Sequence, residues 1–218
     1  MPPAGFGRDF AYRYANEIET YDRYIGGVAL SIAVDMRSTN AAYCQLISDA
    51  DLRRRMGEAG RKRARAIYDW RVVIAAYQDL WAELAARRSR ADPNTVARAQ
   101  LKHINARDPF ALFAPHASTS VSLHHRIRWA NGGPADALET LFAQPLANYA
   151  LNVILGAADC RNLVEAIRAE SGREIGEIVE AFPVARRMHA FRTLLWLAKF
   201  GLVEIDPPAA PALPEESL

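Results

Sequence analysis

Cysteine is scarce in this sequence. The chain of 218 residues holds two cysteines, Cys44 and Cys160, which lie far apart and form no Cys-x-x-Cys pair. A disulfide framework and a four-cysteine zinc site are therefore excluded. Because cysteine is among the residues most often buried, we expect two reduced, buried thiols.

Long apolar runs are also absent. The sequence has no stretch of about 18 consecutive apolar residues, so it predicts no membrane-spanning helix. The start, Met1-Pro2-Pro3, lacks the basic residues and the apolar stretch of a secretory signal. Together with the unpaired cysteines, these features predict a cytoplasmic protein. The composition is that of an ordinary globular protein, with 50% hydrophobic residues and a formal net charge of +2.

Motifs that identify an active site are missing as well. Gly5-x-Gly7 lacks the third glycine and the preceding strand of a dinucleotide-binding loop, and the sequence has neither a Walker A motif nor a Gly-x-Ser-x-Gly elbow. The five histidines form no metal-ligand spacing beyond the adjacent pair His124 and His125, which we expect in an exposed loop. The sequence therefore predicts no catalytic residue, no cofactor-binding residue and no metal ligand.

Two pairs of carboxylates are candidate sites, and each has a structural interpretation that is favoured. Asp49-Ala50-Asp51 spells the Asp-x-Asp pattern with which some sugar transferases hold a divalent metal ion, but it lies between two predicted helices, where aspartates cap N-termini. Glu177 and Glu180 lie three residues apart on a predicted helix. We expect them to be solvated rather than to act as an acid/base pair.

Basic residues are concentrated in one run. Between Arg53 and Arg65 the chain reads RRRMGEAGRKRAR, in which seven basic residues stand against Glu58 alone. Such density is found in segments that bind nucleic acids or anionic surfaces. The favoured alternative is a solvated helix face whose arginine stems cover apolar surface. Binders of single strands interleave aromatic with basic side chains, whereas the next aromatic residues here, Tyr68 and Trp70, follow the run.

Hydrophobic periodicity and capping residues predict a helical first section over residues 1–90. An aromatic-rich stretch, FAYRYANEIETYDRY, is predicted to be partly helical, and Val28–Val34 to be a strand or a buried loop. Three helices follow, and their expected N-caps are Asp35, then Asp49 or Asp51, and then Asp69. The third has the clearest amphipathic pattern in the chain, formed by Val72, Val73, Ala76, Tyr77, Leu80, Trp81 and Leu84.

The remaining sections differ in pattern. Residues 91–134 are rich in turn-forming dipeptides and predict an extended linker with one short helix near Val96–Ile104. Residues 135–206 are helical again, with Gly201 where a left-handed C-cap is needed and a strand predicted after it. Short helix, turn, short helix, longer helix, glycine and strand form the outline of a winged helix-turn-helix. Residues 207–218 are rich in proline and alanine and are predicted to be disordered.

A winged helix can place a recognition helix in the major groove of DNA. The predicted recognition helix, Val184–Lys199, carries four cations: Arg186, Arg187, Arg192 and Lys199. Glutamates elsewhere in the same domain nearly balance this charge, which leaves a weak electrostatic footprint for DNA. Protein docking or a structural role is therefore favoured over DNA binding.

The first section also carries a combination of motifs. A helix ending at Ile47 is followed by Asp51–Arg61, which reads DLRRRMGEAGR, and then by Tyr68–Trp70 at the start of another helix. In this combination the segment from Asp35 to Arg88 resembles the C-terminal end of a family-four (group 1) glycosyltransferase with the GT-B fold. The close resemblance covers about a quarter of the chain. The preceding residues, Met1–Val34, resemble a variant insertion in the same lobe.

The resemblance implies a parent enzyme that transfers a hexose from a nucleotide-sugar donor to a glycan or another acceptor, without a bound cofactor or an essential metal. In that family a Glu-x7-Glu motif holds the donor, and this sequence has no two glutamates at that spacing. The chain is therefore expected to be the trailing part of such an enzyme, to meet the donor only as part of the parent, and to be inactive alone. The alternative function is a non-catalytic winged-helix module that docks proteins or binds nucleic acid.

The predicted fold is mainly α. It comprises a helical remnant of a GT-B C-terminal lobe over residues 1–90, a linker over 91–134, a small winged-helix-like domain over 135–206 and a tail over 207–218. In the family the last helix packs on the N-terminal lobe. The apolar face of Tyr68–Leu84 is therefore expected to be partly bare and available for self-association or a protein partner.

Overall fold

The computed structural model describes residues 1–92, 94, 107–130, 137–149 and 151–208, with the backbone alone at Leu151. The described part of the chain is mainly helical, as predicted, with one small antiparallel sheet. The chain divides into two compact units. One is formed by residues 1–33 together with 104–218, and the other by residues 34–103.

Two helices lie in the N-terminal part of the first unit, α1 (Arg8–Ala15) and α2 (Tyr21–Leu30). The Thr20 hydroxyl caps α2 by accepting the Arg23 N–H at 3.4 Å. The predicted strand or buried loop over Val28–Val34 is wrong for its first three residues, which end α2. A short apolar run fits a buried helix face as well as a strand, so its periodicity does not separate the two.

Three helices form the described part of the second unit: α3 (Met36–Ser48), α4 (Ala50–Ile67) and α5 (Trp70–Arg90). Each begins after an aspartate whose carboxylate accepts a first-turn N–H. The bonds are Asp35 with Arg37 at 3.0 Å, Asp49 with Leu52 at 2.8 Å and Asp69 with Arg71 at 3.0 Å. The predicted caps are confirmed, and Asp49 rather than Asp51 caps α4.

The C-terminal part of the first unit combines five helices with three strands. In chain order they are α6 (Pro109–Leu112), β1 (Arg126–Trp129), α7 (Ala137–Ala143), α8 (Ala157–Ala169), β2 (Arg173–Glu174), α9 (Ile175–Glu180), α10 (Val184–Lys199) and β3 (Val203–Asp206). Short 3-10 helices lie at Ala114–His116 and Leu151–Val153. The sheet is antiparallel in the order β2-β1-β3, with Ile127 of β1 opposite Arg173 of β2 and Ile205 of β3.

The core of the first unit surrounds α10. From Ala190 to Leu197 every residue of this helix is buried. A helix at the surface buries one stripe, whereas a helix buried all round is covered on every side. Neighbours of α10 are α9, β3 and α2, and the rings of Phe6 and Phe191 lie 4.7 Å apart.

The two compact units differ from the predicted division of the chain. Residues 1–33, predicted to share a lobe with α3–α5, pack instead with the C-terminal helices, and Phe10 of α1 is fully buried. The predicted linker over 91–134 contains β1, the central strand of the sheet. Four residues are too few for an alternating pattern to stand out, so the sequence pattern does not indicate this strand. The predicted short helix near Val96–Ile104 and residues 209–218 of the predicted tail lie outside the described residues.

Part of the predicted winged-helix outline is present. α8, α9, α10 and β3 follow one another in the predicted order, and Gly201 ends α10 with a φ of +73°, a left-handed value that favours glycine. The sheet departs from that outline. The strand beside β3 is β1, which comes from earlier in the chain, whereas a winged helix pairs this strand with one from a following hairpin.

Candidate functional site

The basic run forms one side of α4. At 100° per residue, five of its cations fall within about a third of the helix circumference. We refer to this set as the cationic stripe, which consists of Arg54, Arg55, Arg61, Lys62 and Arg65. All five side chains are exposed to solvent. The apolar residues Leu52, Met56 and Ile67 fall on the opposite side of the same helix.

Most of the stripe lacks an opposite charge among the described residues. Arg54 lies 3.2 Å from a carboxylate oxygen of Asp51 and 3.6 Å from one of Glu58. The other four members make no ion pair within the described parts of the chain. Arg53 lies about 80° around the helix from the stripe, and its guanidinium donates to the Ile47 carbonyl at 2.8 Å and so caps the end of α3. Arg63, the seventh cation of the run, lies on the side opposite the stripe.

A shallow, open cleft of about 400 Å³ lies along the stripe. Its lining residues are Glu58, Arg61, Lys62, Arg65 and Ala66. Three cations thus surround a volume that also contains one carboxylate, which favours an anionic ligand of modest size. The sequence shows the density of charge in this segment but does not show the cleft, because the cleft depends on where the side chains lie around the helix.

The second unit has an unusual surface. None of the residues in α3, α4 or α5 is buried. An apolar groove of about 390 Å³ runs from the turn between α4 and α5 along α5, and we name its lining the α5 apolar face: Ile67, Tyr68, Val72, Val73, Ala76, Tyr77 and Leu80. Next to it, Trp81 is 60% exposed and Leu84 39% exposed. The described residues of this unit therefore leave a large amphipathic surface uncovered.

The cations of the predicted recognition helix, α10, all have partners within the first unit. Arg192, which is almost fully buried, pairs with Asp9 at 2.5 Å, donates to the Phe6 carbonyl at 2.8 Å and lies 4.1 Å from the centre of the Phe10 ring. Arg186 pairs with Asp159 at 2.5 Å. The remaining donors are Arg187, which bonds the Phe182 and Glu180 carbonyls, and Lys199, which bonds the Ala29 and Ile32 carbonyls.

These contacts explain the role of the α10 cations in the structure. Arg192 and Lys199 connect α10 to the N-terminal segment that covers it, and the buried Arg192 is not available to a phosphate in this arrangement. The Asp9–Arg192 pair joins residues 183 positions apart. No local pattern in a sequence indicates a contact of that kind.

The two cysteines differ in environment. Cys160 is fully buried, as predicted, and burial raises the pKa of its thiol to about 12. Its Sγ donates to the Leu155 carbonyl at 3.2 Å, so it has a packing role rather than that of a nucleophile. The prediction of burial is wrong for Cys44, which is exposed on α3. That helix has no covering layer among the described residues, so a residue type that is usually buried lies at the surface.

The adjacent histidines also differ. His124 is exposed as predicted, and its Nδ1 lies 3.6 Å from a Glu174 oxygen. The prediction of an exposed His125 is wrong, because this residue is 8% exposed and its Nδ1 accepts the Ser122 N–H at 3.1 Å. Burial, with the neighbouring His124, lowers the pKa of His125.

The other candidates from the sequence have the roles expected of them or are solvated. Asp49 caps α4, while Asp51 is 75% exposed. Glu177 and Glu180 lie on the surface of α9, and Glu177 is 3.5 Å from Arg173. Within the described ranges, no group of three or more His, Cys, Asp and Glu side chains is placed to hold a metal ion. Nor is any described helix long and apolar enough to cross a bilayer.

Comparison with known proteins adds no identification. No family model, no curated protein and no solved structure matches the chain.

Proposed function

We propose that residues 34–90 are the closing helical segment of a group 1 GT-B glycosyltransferase, and that the protein acts as part of an enzyme that transfers a sugar from a nucleotide-sugar donor to an acceptor. The DLRRRMGEAGR sequence lies on α4, and Tyr68–Trp70 begins α5. Both positions agree with the arrangement that the resemblance implies.

The uncovered apolar surface is the observation that carries the proposal. Most of the stability of helices in proteins comes from tertiary packing of their apolar sides. Here the α5 apolar face is exposed, and Tyr77 and Leu80 are 50% and 45% accessible. A lobe of the enzyme that lies against this face would bury it, whereas a self-contained domain would cover it with its own residues.

The nucleotide released during sugar transfer provides the test. The tagged chain is isolated from its native cells with its bound partners, and UDP and GDP release is measured after addition of UDP- and GDP-hexoses. We expect release with the native chain and its loss in a Tyr77→Glu/Leu80→Glu variant. The matched control, Gln78→Glu/Ala82→Glu, adds the same charge to the opposite side of α5 and should keep the activity.

Absence of nucleotide release from the native assembly would contradict the proposal, as would equal release from both variants. The purified 218-residue chain supplies a complementary measurement. Calorimetry with UDP- and GDP-sugars should show no specific binding to the chain alone, because the proposed donor site belongs to the rest of the enzyme. Micromolar binding would instead indicate a nucleotide site within these residues.

A cytoplasmic location is part of the proposal. Cys44 is exposed and unpaired with Cys160, which is typical of proteins in a reducing compartment. A soluble nucleotide-sugar donor would also be available there. Self-association through the α5 apolar face is the second interaction that we propose for the isolated chain.

A second candidate function is protein docking through the C-terminal helices. The observation that favours it over DNA binding is the occupation of the α10 cations by Asp9, Asp159 and backbone carbonyls. Fluorescence anisotropy with a labelled DNA duplex at low salt should therefore show no binding by a chain that has Gln substitutions throughout the cationic stripe. Salt-sensitive binding that survives Gln substitution throughout the cationic stripe would overturn this choice, since α10 would then be the binding element.

A further inference from the structure

We propose that the cationic stripe of α4 docks the protein on an anionic phospholipid surface, with a lipid phosphate in the cleft between Arg61, Lys62 and Arg65. The inference goes beyond sugar transfer and does not depend on it. It rests on the charge, position and shape of one exposed helix side.

Most of the positive charge on the stripe is not neutralised by an ion pair within the described residues. Four of the five stripe residues have no ion pair within the described parts of the chain, and all are exposed. Exposed arginine and lysine retain their full charge, and their attraction for a charged surface acts over about a Debye length, roughly 8–10 Å in physiological salt. Clusters of four to eight such residues on an amphipathic helix are characteristic of segments that bind acidic lipids.

The position of the stripe on α4 leaves it free for a membrane surface. The stripe lies opposite Leu52, Met56 and Ile67 on α4. A protein layer that covers the apolar side would leave the stripe free, so docking on lipid and burial of the apolar side are compatible. Arg63 lies between Leu52 and Met56 on the apolar side, but five of the seven cations of the basic run lie on the other side, which suits a charged surface.

The length of the stripe and the cleft along it suit a surface of phosphate groups. From Arg54 to Arg65 the stripe extends about 17 Å along a straight helix, at 1.5 Å per residue. A bilayer presents phosphates at every point beneath such a line. The cleft lined by Arg61, Lys62 and Arg65 has about 400 Å³ of open space, enough for a phosphate group with its ester oxygens. Glu58 also lines the cleft, and its carboxylate suits the ammonium group of a serine headgroup.

Lipid is favoured over nucleic acid for two reasons. No aromatic residue lies between Arg53 and Arg65, whereas single-stranded nucleic acids are held by aromatic stacking between basic contacts. Arginine and lysine can read guanine in the major groove of a duplex, but α4 has none of the asparagine, glutamine, serine or threonine side chains that read other bases. A flat array of phosphates matches the stripe without either feature.

The test is co-sedimentation of the full chain with vesicles. Vesicles of phosphatidylcholine are compared with vesicles that contain about a third phosphatidylserine, at low and at high salt. We expect binding to the anionic vesicles only, weakened by salt. The variant Arg61→Gln/Lys62→Gln/Arg65→Gln should lower the partition coefficient about a hundredfold, because each basic residue near an anionic bilayer contributes about a factor of five.

The matched control removes the same charge elsewhere in the unit. Arg71→Gln/Arg88→Gln/Arg90→Gln changes three exposed cations of α5 outside the stripe and should bind nearly as the native chain does. Circular dichroism shows that both variants keep their helices. Equal loss in both variants, equal binding to neutral vesicles, or native binding by the stripe variant would overturn the proposal.

Two further ligands test whether the stripe prefers lipid phosphates to the phosphates of a soluble molecule or of a nucleic acid. Inositol hexakisphosphate serves as a soluble polyphosphate, and a short RNA duplex as a nucleic acid, both measured at the same ionic strength. Weaker binding of each than of anionic vesicles is expected. Stripe-dependent binding of either one without binding to vesicles would overturn the lipid assignment.

Discussion

At the scale of single residues, two buried polar side chains of α10, Thr193 and Trp196, have specific partners. Thr193 is fully buried, and its hydroxyl accepts the Leu155 N–H at 2.9 Å while donating to the His189 carbonyl at 2.7 Å. A buried N–H without such a partner would cost about 1–3 kcal/mol. The Trp196 indole N–H similarly reaches the Ala147 carbonyl at 2.8 Å. These bonds allow α10 to be buried without unsatisfied groups at those positions.

His125 leads to a prediction of pH dependence. Burial lowers the pKa of this histidine in the folded chain, whereas the unfolded chain has the ordinary value near 6.5. The unfolded state therefore binds the proton more readily, and stability falls as the pH drops below about 6.5. Protonation of Nδ1 would also remove the acceptor of the Ser122 N–H. We expect the free energy of unfolding to be lower at pH 5 than at pH 7.5.

Substitutions separate the contribution of His125 from that of other groups. In His125→Asn, whose amide oxygen can accept the Ser122 N–H at either pH, the loss of stability between the two pH values should shrink. Chemical denaturation at pH 5 and at pH 7.5 measures this loss of stability. His124→Asn removes only the smaller contribution of the exposed neighbour to the lowered pKa of His125 and should keep most of the native pH dependence. An unchanged pH dependence in the His125 variant would contradict the assignment.

At the scale of elements, two glycines within helices have opposite environments. A Cβ added to Gly27 of α2 would lie 2.8 Å from Cε1 of the buried Phe10 ring. A Cβ added to Gly60 of α4 would meet nothing within 4 Å. The α1–α2 contact thus depends on the absence of a side chain at one helix position, while the glycine of α4 only lowers helix propensity.

The contrast predicts opposite effects of the same substitution. Gly27→Ala should destabilise the first unit by about 1–3 kcal/mol through overlap with Phe10, even though alanine is the better helix former. Gly60→Ala should stabilise α4 by about 1 kcal/mol, since alanine replaces glycine at an open helix position. Thermal and chemical unfolding followed by far-UV circular dichroism measure both changes. Stabilisation by Gly27→Ala would show that the close approach to Phe10 does not exist in solution.

At the scale of the whole molecule, the two units are stabilised in different ways. The first unit has a continuous core that includes fully buried Trp196, Phe10 and Ile127. The described residues of the second have helix caps and local side-chain pairs, such as Arg87 with Glu83, but no buried side chain. Exposed ion pairs of that kind contribute about 0.3–0.5 kcal/mol each. The stability of α3–α5 therefore depends on what covers them.

Self-association of the purified chain is the prediction at this scale. The α5 apolar face should be covered by a second copy when no other partner is present, so the mass measured by sedimentation equilibrium should rise with protein concentration. Tyr77→Glu/Leu80→Glu places charge on this face and should shift the chain toward the monomer. Gln78→Glu/Ala82→Glu should associate as the native chain does. A monomeric mass at every concentration would contradict the prediction.

The sequence by itself determined the features that depend on neighbouring residues. The aspartates before α3, α4 and α5 predict the starts of these helices, because an N-cap acts on amides two or three positions away. Gly201 predicts the end of α10, because a left-handed residue is needed locally. The density of cations on α4 and the amphipathic pattern of α5 were visible as well, since they follow from composition and helical periodicity.

Only the tertiary structure decided which residues are buried and which residues far apart in the chain pair with each other. The N-terminal segment covers α10 through Asp9 and Arg192, β1 enters the sheet between β2 and β3, and His125 is buried while Cys44 is exposed. Each outcome depends on contacts between residues far apart in the chain. Local propensity carries no information on such contacts, because their free energy arises only when the distant surfaces meet.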